Sequence, residues 1–238
     1  QQWQQQGNSF ALTVGQEQIT YVPPGTLSVG MKGKPGINVA IFLWHDAWVY
    51  ERLDAGQVAA GPALDERGWI RQTGTWVVRE GAPPMKYELA LEPTATGAIV
   101  HLETEKTAAL KLTSGLWCAL SLDRQAFAGR QVYARPTAHG PVGTAVGGMC
   151  DALLIGLGDG EAAAFAGEGF RELRSRISEK GHGFEMNLYP KDFAVGEKVR
   201  TALRIGFEQM PAEFPGDVKP RREKLEIVGR LAKRMVAA

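Results

Sequence analysis

Residues 38–51 read NVAIFLWHDAWVYE, the most apolar and most aromatic stretch of the chain. Written as one strand from Asn38 to Glu51, its alternate side chains point to opposite faces. Val39, Ile41, Leu43, His45, Ala47 and Val49 then share one face, and Phe42, Trp44, Asp46, Trp48 and Tyr50 share the other. A strand apolar on both faces belongs in the middle of a two-layer structure. Its aromatic row, broken by one carboxylate, is open to two readings. It is sheet-on-sheet core, since aromatic rings carry much of the burial energy of a β core, or it is a platform for a ligand.

Working outward, the chain is a series of short alternating segments. Ser9–Val14, Gln18–Val22 and Thr26–Met31 read as strands, with Pro23-Pro24-Gly25 turning between the last two. Residues 53–68, rich in Ala, Gly, Asp and Pro, read as a long surface loop with room for one helical turn. Trp69–Arg79 is strand again, with Gly74 marking a bulge. Met85–Glu92 and Ala98–Glu105 form the most regular alternation, a hairpin around the PTATG loop. One face of it is apolar through Tyr87, Leu89, Leu91, Val100 and Leu102. The other carries Lys86, Glu88, Glu92, His101, Glu103 and Glu105, so it is solvent-facing or a site.

Leu110–Leu122 is a long strand or bent strand, broken at Thr113-Ser114-Gly115, and residues 123–148 carry no assignable pattern. Asp151–Leu157 is a buried strand turned by Gly158-Asp159-Gly160. Residues 161–177 tolerate a helical period. Phe184, Met186 and Leu188 alternate with polar neighbours, and Val199, Thr201, Leu203, Ile205 and Phe207 do the same, which predicts two closing strands.

The 29 glycines and 13 prolines among 238 residues recur as punctuation instead of clustering in one linker, as in a protein of many short strands. The expectation is an all-β, antiparallel sandwich with few or short helices: one domain over 1–214, then a basic tail or linker over 215–238. In that tail Val228, Leu231, Ala232 and Met235 recur at helical spacing. With 27 basic and 26 acidic residues there is no global field to draw nucleic acid or an acidic membrane. No run of about eighteen apolar residues is present, so no membrane span is expected.

The polar opening QQWQQQGNS begins on Gln1 and not on Met, as after removal of a leader or a preceding region; an arbitrary cut reads the same. Cys118 and Cys150 suit either one disulfide, worth about 3–4 kcal/mol by loop entropy, or two buried thiols. The expected location is secreted or periplasmic.

Gly156-x-Gly158-x-x-Glu161 superficially matches a dinucleotide fingerprint, but glutamate replaces the third glycine and would crowd the turn and repel a pyrophosphate. The four histidines, at 45, 101, 139 and 182, do not stand at metal-ligand spacing, and no cysteine pair does either. No nucleophile elbow is present. No cofactor and no metal are expected.

Two constellations remain. On the hairpin, His101 and Glu103 with Glu88 opposite place carboxylates within about 5 Å across strands. Such pairs serve as acid and base or nucleophile in glycoside cleavage; the alternative is a solvated mixed-charge face with Lys86 as counter-ion. On the aromatic row, Trp44, Trp48 and Tyr50 suit stacking on the C–H faces of sugar rings, with Asp46 accepting from hydroxyls. A binding surface of this kind needs exposed, coplanar rings.

The stretch CDALLIGLGDGEAAAF, then FRELRSRI, then FEMNLYPKDFAVGEKVRTALRIGF, over Cys150–Phe207, resembles the closing strands of galactose-mutarotase-like β-supersandwich domains. Such domains occur as sugar epimerases, in polysaccharide lyases, and as noncatalytic modules of glycoside hydrolases and phosphorylases. The resemblance implies an oligo- or polysaccharide as the ligand class and further domains of the same polypeptide as partners. The epimerases' histidine pair and late glutamate are not transferred to residues here. The expected function is therefore glycan binding by a module of a larger extracellular enzyme. The alternatives are a hydrolase or lyase in its own right, using His101, Glu103 and Glu88, and a structural domain whose tryptophans are all core.

Overall fold

The computed structural model describes residues 1–46, 48–76, 85–167, 170 and 172–214. The strands in chain order are β1 (Gln4–Gln6), β2 (Ser9–Val14), β3 (Glu17–Val22), β4 (Thr26–Met31), β5 (Ile37–His45), β6 (Val49–Arg52), β7 (Gln57–Leu64), β8 (Ile70–Trp76) and β9 (Met85–Thr94). They continue as β10 (Gly97–Lys106), β11 (Leu112–Asp123), β12 (Gln131–Arg135), β13 (Ala138–Pro141), β14 (Ala152–Gly158), β15 (Glu161–Gly167), β16 (Leu173–Ile177), β17 (Gly181–Tyr189) and β18 (Lys198–Gln209). No α-helix occurs among the described residues.

The first sheet runs β1-β2-β3-β4-β5-β11-β17-β16, with β6 paired to β5; the second runs β13-β12-β14-β15-β18-β10-β9-β8-β7. Ladders are antiparallel throughout both sheets. One apolar cluster joins them: Leu12, Ile19, Val39, Ile41 and Leu120 of the first sheet meet Leu89, Leu91, Val100, Leu153, Leu203 and Ile205 of the second. The expected all-β sandwich is therefore the observed one. A buried polar link also crosses the layers: the Tyr21 hydroxyl donates to Gln72 Oε1 at 2.8 Å, and Gln72 Nε2 donates to the Tyr87 hydroxyl at 2.7 Å and to the Pro24 carbonyl at 2.8 Å. Burial pushes the Tyr21 phenol well above its ordinary range, so it stays a donor.

Several local readings change. The long strand ends at His45, turns, and returns as β6. After the 3₁₀ turn Leu53–Ala55, the expected loop contains edge strand β7, which is exposed along almost its whole length and so has no alternation to read. Residues 123–148 hold the short strands β12 and β13. Within 161–177 the described residues form β15 and β16 and not a helix: ladder bonds to β14 on one side and β18 on the other override the helical propensity of the β15 alanines.

Gly74 keeps an unbroken register with Tyr87 on one side, but on the other its partner Val58 is where the β7 register shifts before Ala60, so the expected bulge lies opposite it, and a second shift precedes Ala63. A Cβ at Gly74 would meet Gln57 O at 2.1 Å and the Tyr87 hydroxyl at 2.6 Å, so close approach explains this glycine. Gly115 does mark an irregularity: the β11–β5 register shifts before it, its φ is +76°, and a Cβ would sit 1.8 Å from Tyr189 O. Residues 77–79 and the tail from 215 lie outside the described residues.

Cys118 and Cys150 are buried free thiols, which removes the disulfide reading. Burial, then the charge of Asp151, pushes the Cys150 thiol up to about 11, so neither a bridge nor a reactive thiolate is offered there. No helix of the described residues is long and apolar enough to cross a membrane.

Candidate functional site

The β5–β6 turn organises the first constellation. Register pairs His45 with Val49, Trp44 with Tyr50, Leu43 with Glu51 and Phe42 with Arg52. Asp46 (φ 38°) and Trp48 (φ 81°) both take left-handed backbone at the turn, conformations that non-glycine residues hold only under local constraint. Cross-strand partners point to the same side. Trp44 and Tyr50 therefore still share a face, although the chain has reversed between them.

On that face the Trp44 ring meets Tyr50 at 5.2 Å and 57° and Trp48 at 5.8 Å and 73°. Phe42 lies beneath, 4.7 Å from Tyr50 and 6.3 Å from Trp117 of β11. Phe42 is sealed and Trp117 nearly so, whereas Trp48 is 56% exposed and Tyr50 40% exposed. The coplanar rings expected of a binding surface are therefore not formed, since the row folds into a corner: two buried rings form its floor, and Trp44, Trp48 and Tyr50 stand above it at steep angles to one another. The fully buried His45, on the other face of β5, places Nδ1 3.0 Å from Asp46 Oδ2 and Nε2 3.7 Å from Glu51 Oε1. Asp46 is tethered in this way with its carboxylate still half exposed. Ala47 lies outside the described residues.

Two ion pairs flank the corner, Arg52 with Asp54 and Arg176 with Glu185. Partial burial raises the Tyr50 phenol; Arg52 and Arg176 oppose the shift, while Asp54 and Glu185 add to it. Arg174 lies over Trp117 at 4.8 Å. Sequence reasoning did not place Trp117, Arg174 and Arg176 at this face. Trp117 is hidden in a continuous apolar run, and the arginines lie on β16, in a segment that also fits a helical period.

The second constellation covers the outer face of β8, β9, β10 and β18. Glu103 stands directly opposite Glu88 on one side and Arg200 on the other, and Glu105 stands between Lys86 and Lys198. Glu103 accepts from Lys198 Nζ at 2.7 Å and from Arg200 Nε at 2.6 Å, and these cations hold its carboxyl below the ordinary value. Arg71 bridges Asp65 at 2.7 Å and Glu88 at 3.2 Å. Asp65 is held down to about 2, chiefly by Arg71.

His101 Nε2 is 2.8 Å from Glu92 Oε2, and its ring stacks on Trp69 at 5.4 Å and 4°. A groove of about 420 Å³ runs over Trp69, Arg71, His101, Glu103 and Arg200. The structure does bring His101, Glu103 and Glu88 onto one face. It surrounds each with a committed partner, and a carboxylate held ionised by two cations is a poor proton donor.

Among the described residues no group of three or more His, Cys, Asp and Glu is placed to hold a metal ion. The glycines at 156, 158 and 160 belong to the β14–β15 hairpin, and the strand β15, not a helix, follows them directly, so the dinucleotide reading falls.

Two nine-stranded antiparallel sheets close on one core, with the long strand β18 in the middle of the second, an arrangement similar in fold to galactose mutarotase-like proteins. A galactose mutarotase-like protein from Clostridium acetobutylicum superposes with a TM-score of 0.56 at 7% identity, over 85% of this chain and 95% of that one. A second, from Lactobacillus casei ATCC 334, gives 0.55 at 8% identity, over 84% and 100%. No protein-family profile matches the chain, and no curated protein matches it in sequence. The resemblance seen in Cys150–Phe207 therefore holds for the fold.

Proposed function

We propose that this chain is a glycan-binding module that holds sugar at the β5–β6 corner and serves a larger extracellular carbohydrate-active enzyme. The observation that carries the reading is Trp48, a large apolar ring more than half exposed and kept there on left-handed backbone against Trp44. A protein that only needed the turn would be better served by glycine at that position. The inclined rings of Trp44, Trp48 and Tyr50 embrace one sugar unit from more than one side, and the half-exposed Asp46 carboxylate accepts from its hydroxyls. Such a corner suits a soluble chain or a chain end better than a flat crystalline surface. The similarity in fold to galactose mutarotase-like proteins supports sugar as the ligand class.

The test is isothermal titration of the protein with a panel of oligosaccharides, with reducing-end release assayed in the same samples. Binding without product, lost in Trp48→Gly at unchanged melting temperature, is the expected result. Product release lost in Glu103→Gln and retained in Trp48→Gly would move the function to the charged face. No binding and no product across the panel would leave a structural domain.

A further inference from the structure

We infer that the corner accepts glycans without acidic groups, and that the ion pairs framing it turn carboxylated and sulfated glycans away. The inference rests on the reading of the corner as a sugar site.

Three guanidinium groups, on Arg52, Arg174 and Arg176, lie around the aromatic cluster, and the charges of Arg52 and Arg176 are felt at Tyr50. Arg52 is the cross-strand neighbour of Phe42, and Arg174 covers Trp117. An acidic sugar would be recognised by just such groups, because the guanidinium fork matches a carboxylate or sulfate with two parallel hydrogen bonds. Here the Nε/Nη2 edge of each guanidinium is taken by a carboxylate of the protein, which also matches its charge. Arg52 Nε donates to Asp54 Oδ1 at 2.9 Å, and its Nη2 reaches Oδ2. Arg176 meets Glu185 through Nε at 2.9 Å and Nη2 at 3.1 Å. Arg174 meets Glu172 through Nε at 3.2 Å and Nη2 at 3.5 Å.

The remaining charge on the rim is the Asp46 carboxylate, whose Oδ2 contacts the buried His45. An arriving anion thus meets guanidinium groups whose charge is already matched by Asp54, Glu172 and Glu185, beside the half-exposed Asp46 carboxylate. A neutral sugar meets the same rings and an acceptor at Asp46. Binding of neutral chains should also be nearly independent of salt, because no counter-ion is displaced.

The experiment titrates the protein with neutral oligosaccharides of several linkages, with polygalacturonate fragments and with heparin fragments, at low and at physiological salt. The Asp54→Asn/Glu172→Gln/Glu185→Gln variant, checked for folding by circular dichroism, is titrated in parallel. We expect neutral chains to bind with little salt dependence, and acidic ones at least about tenfold more weakly at low salt. The variant should gain acidic binding that fades as salt rises, with neutral binding unchanged.

Acidic glycans bound as tightly as neutral ones by the unaltered protein, and lost in Trp48→Gly, would overturn the selectivity while keeping the corner as the site. The same holds if the variant gains nothing. Binding of any glycan that survives Trp48→Gly unchanged would overturn the site itself.

Discussion

The two polar faces of this sandwich solve opposite problems. On the outer face of β8, β9, β10 and β18 the charges are answered from within the protein: Glu103 by Lys198 and Arg200, Glu88 by Arg71, and Glu105 stands between Lys86 and Lys198. At the β5–β6 corner the polar groups are also paired, but an exposed Trp48 and a half-exposed Tyr50 are left with water against their outer sides. A face whose groups are mutually satisfied has little to gain from a ligand, whereas exposed aromatic area gains by being covered. This contrast separates the surfaces better than counting carboxylates, since the charged face is the richer in them.

The sharpest test of the contrast is the floor against the rim. Phe42→Ala removes a sealed ring and should cost about 3–5 kcal/mol in denaturant unfolding. Trp48→Gly, by contrast, should leave stability unchanged or slightly raised, because glycine accepts a φ of 81° without strain. Comparable losses from both would mean that Trp48 is core after all.

Next in size is the link between sheets. Gln72→Leu strands the buried Tyr87 hydroxyl, leaves Tyr21 only its bond to the Pro24 carbonyl at 3.0 Å, and should cost about 1–3 kcal/mol by urea unfolding, with glycan binding unaffected.

Acid should act on the fold through its paired carboxylates and one buried histidine, none of which belongs to the corner. Asp65, Glu103 and Asp192 are all held below their ordinary values in the fold: Asp65 by Arg71, and Glu103 by Lys198 and Arg200. For Asp192 burial works the other way and is outweighed by Lys106 and the N–H groups of Leu112 and Phe193. Such groups contribute stability that is fully present above the ordinary carboxyl range and is lost as pH falls through it toward 2. His182, held below its ordinary value of 6.5 by burial and by Arg124, adds an earlier loss in the same direction. Melting temperature should therefore decline in two stages on acidification, first below about 6.5 and then below about 4. A melting temperature flat from neutrality to pH 3 would contradict the pairing.

The smallest effect is expected from Glu103→Gln. Its partners Lys198 and Arg200 are largely exposed, so thermal unfolding should shift little and glycan binding not at all.

Most of the architecture was legible because alternation is the direct imprint of one buried face. Thr26–Met31 coincides with β4, and the hairpin over Met85–Glu105 with β9 and β10. The pattern failed where burial is not one-sided. Strand β7 is exposed on both faces and β15 is covered on both, so neither alternates. The corner was legible in its residues and not in its shape. Trp44, Trp48 and Tyr50 were singled out on the premise of an unbroken strand, while two left-handed residues between His45 and Val49 fold that row onto itself. Backbone of that kind leaves no signature when Asp and Trp hold it in place of glycine.

The corner also makes the protein its own optical gauge. Of the six tryptophans, Trp3, Trp76 and Trp117 are buried, Trp44 and Trp69 are half-buried, and Trp48 alone is exposed. A collisional quencher such as iodide should therefore reach one emitter in preference to the other five. Trp44 and Trp48, in edge contact at 5.8 Å and 73°, form a chiral pair of coupled chromophores. Their far-ultraviolet couplet should vanish on opening of the β5–β6 turn, long before the sheets beneath it begin to melt.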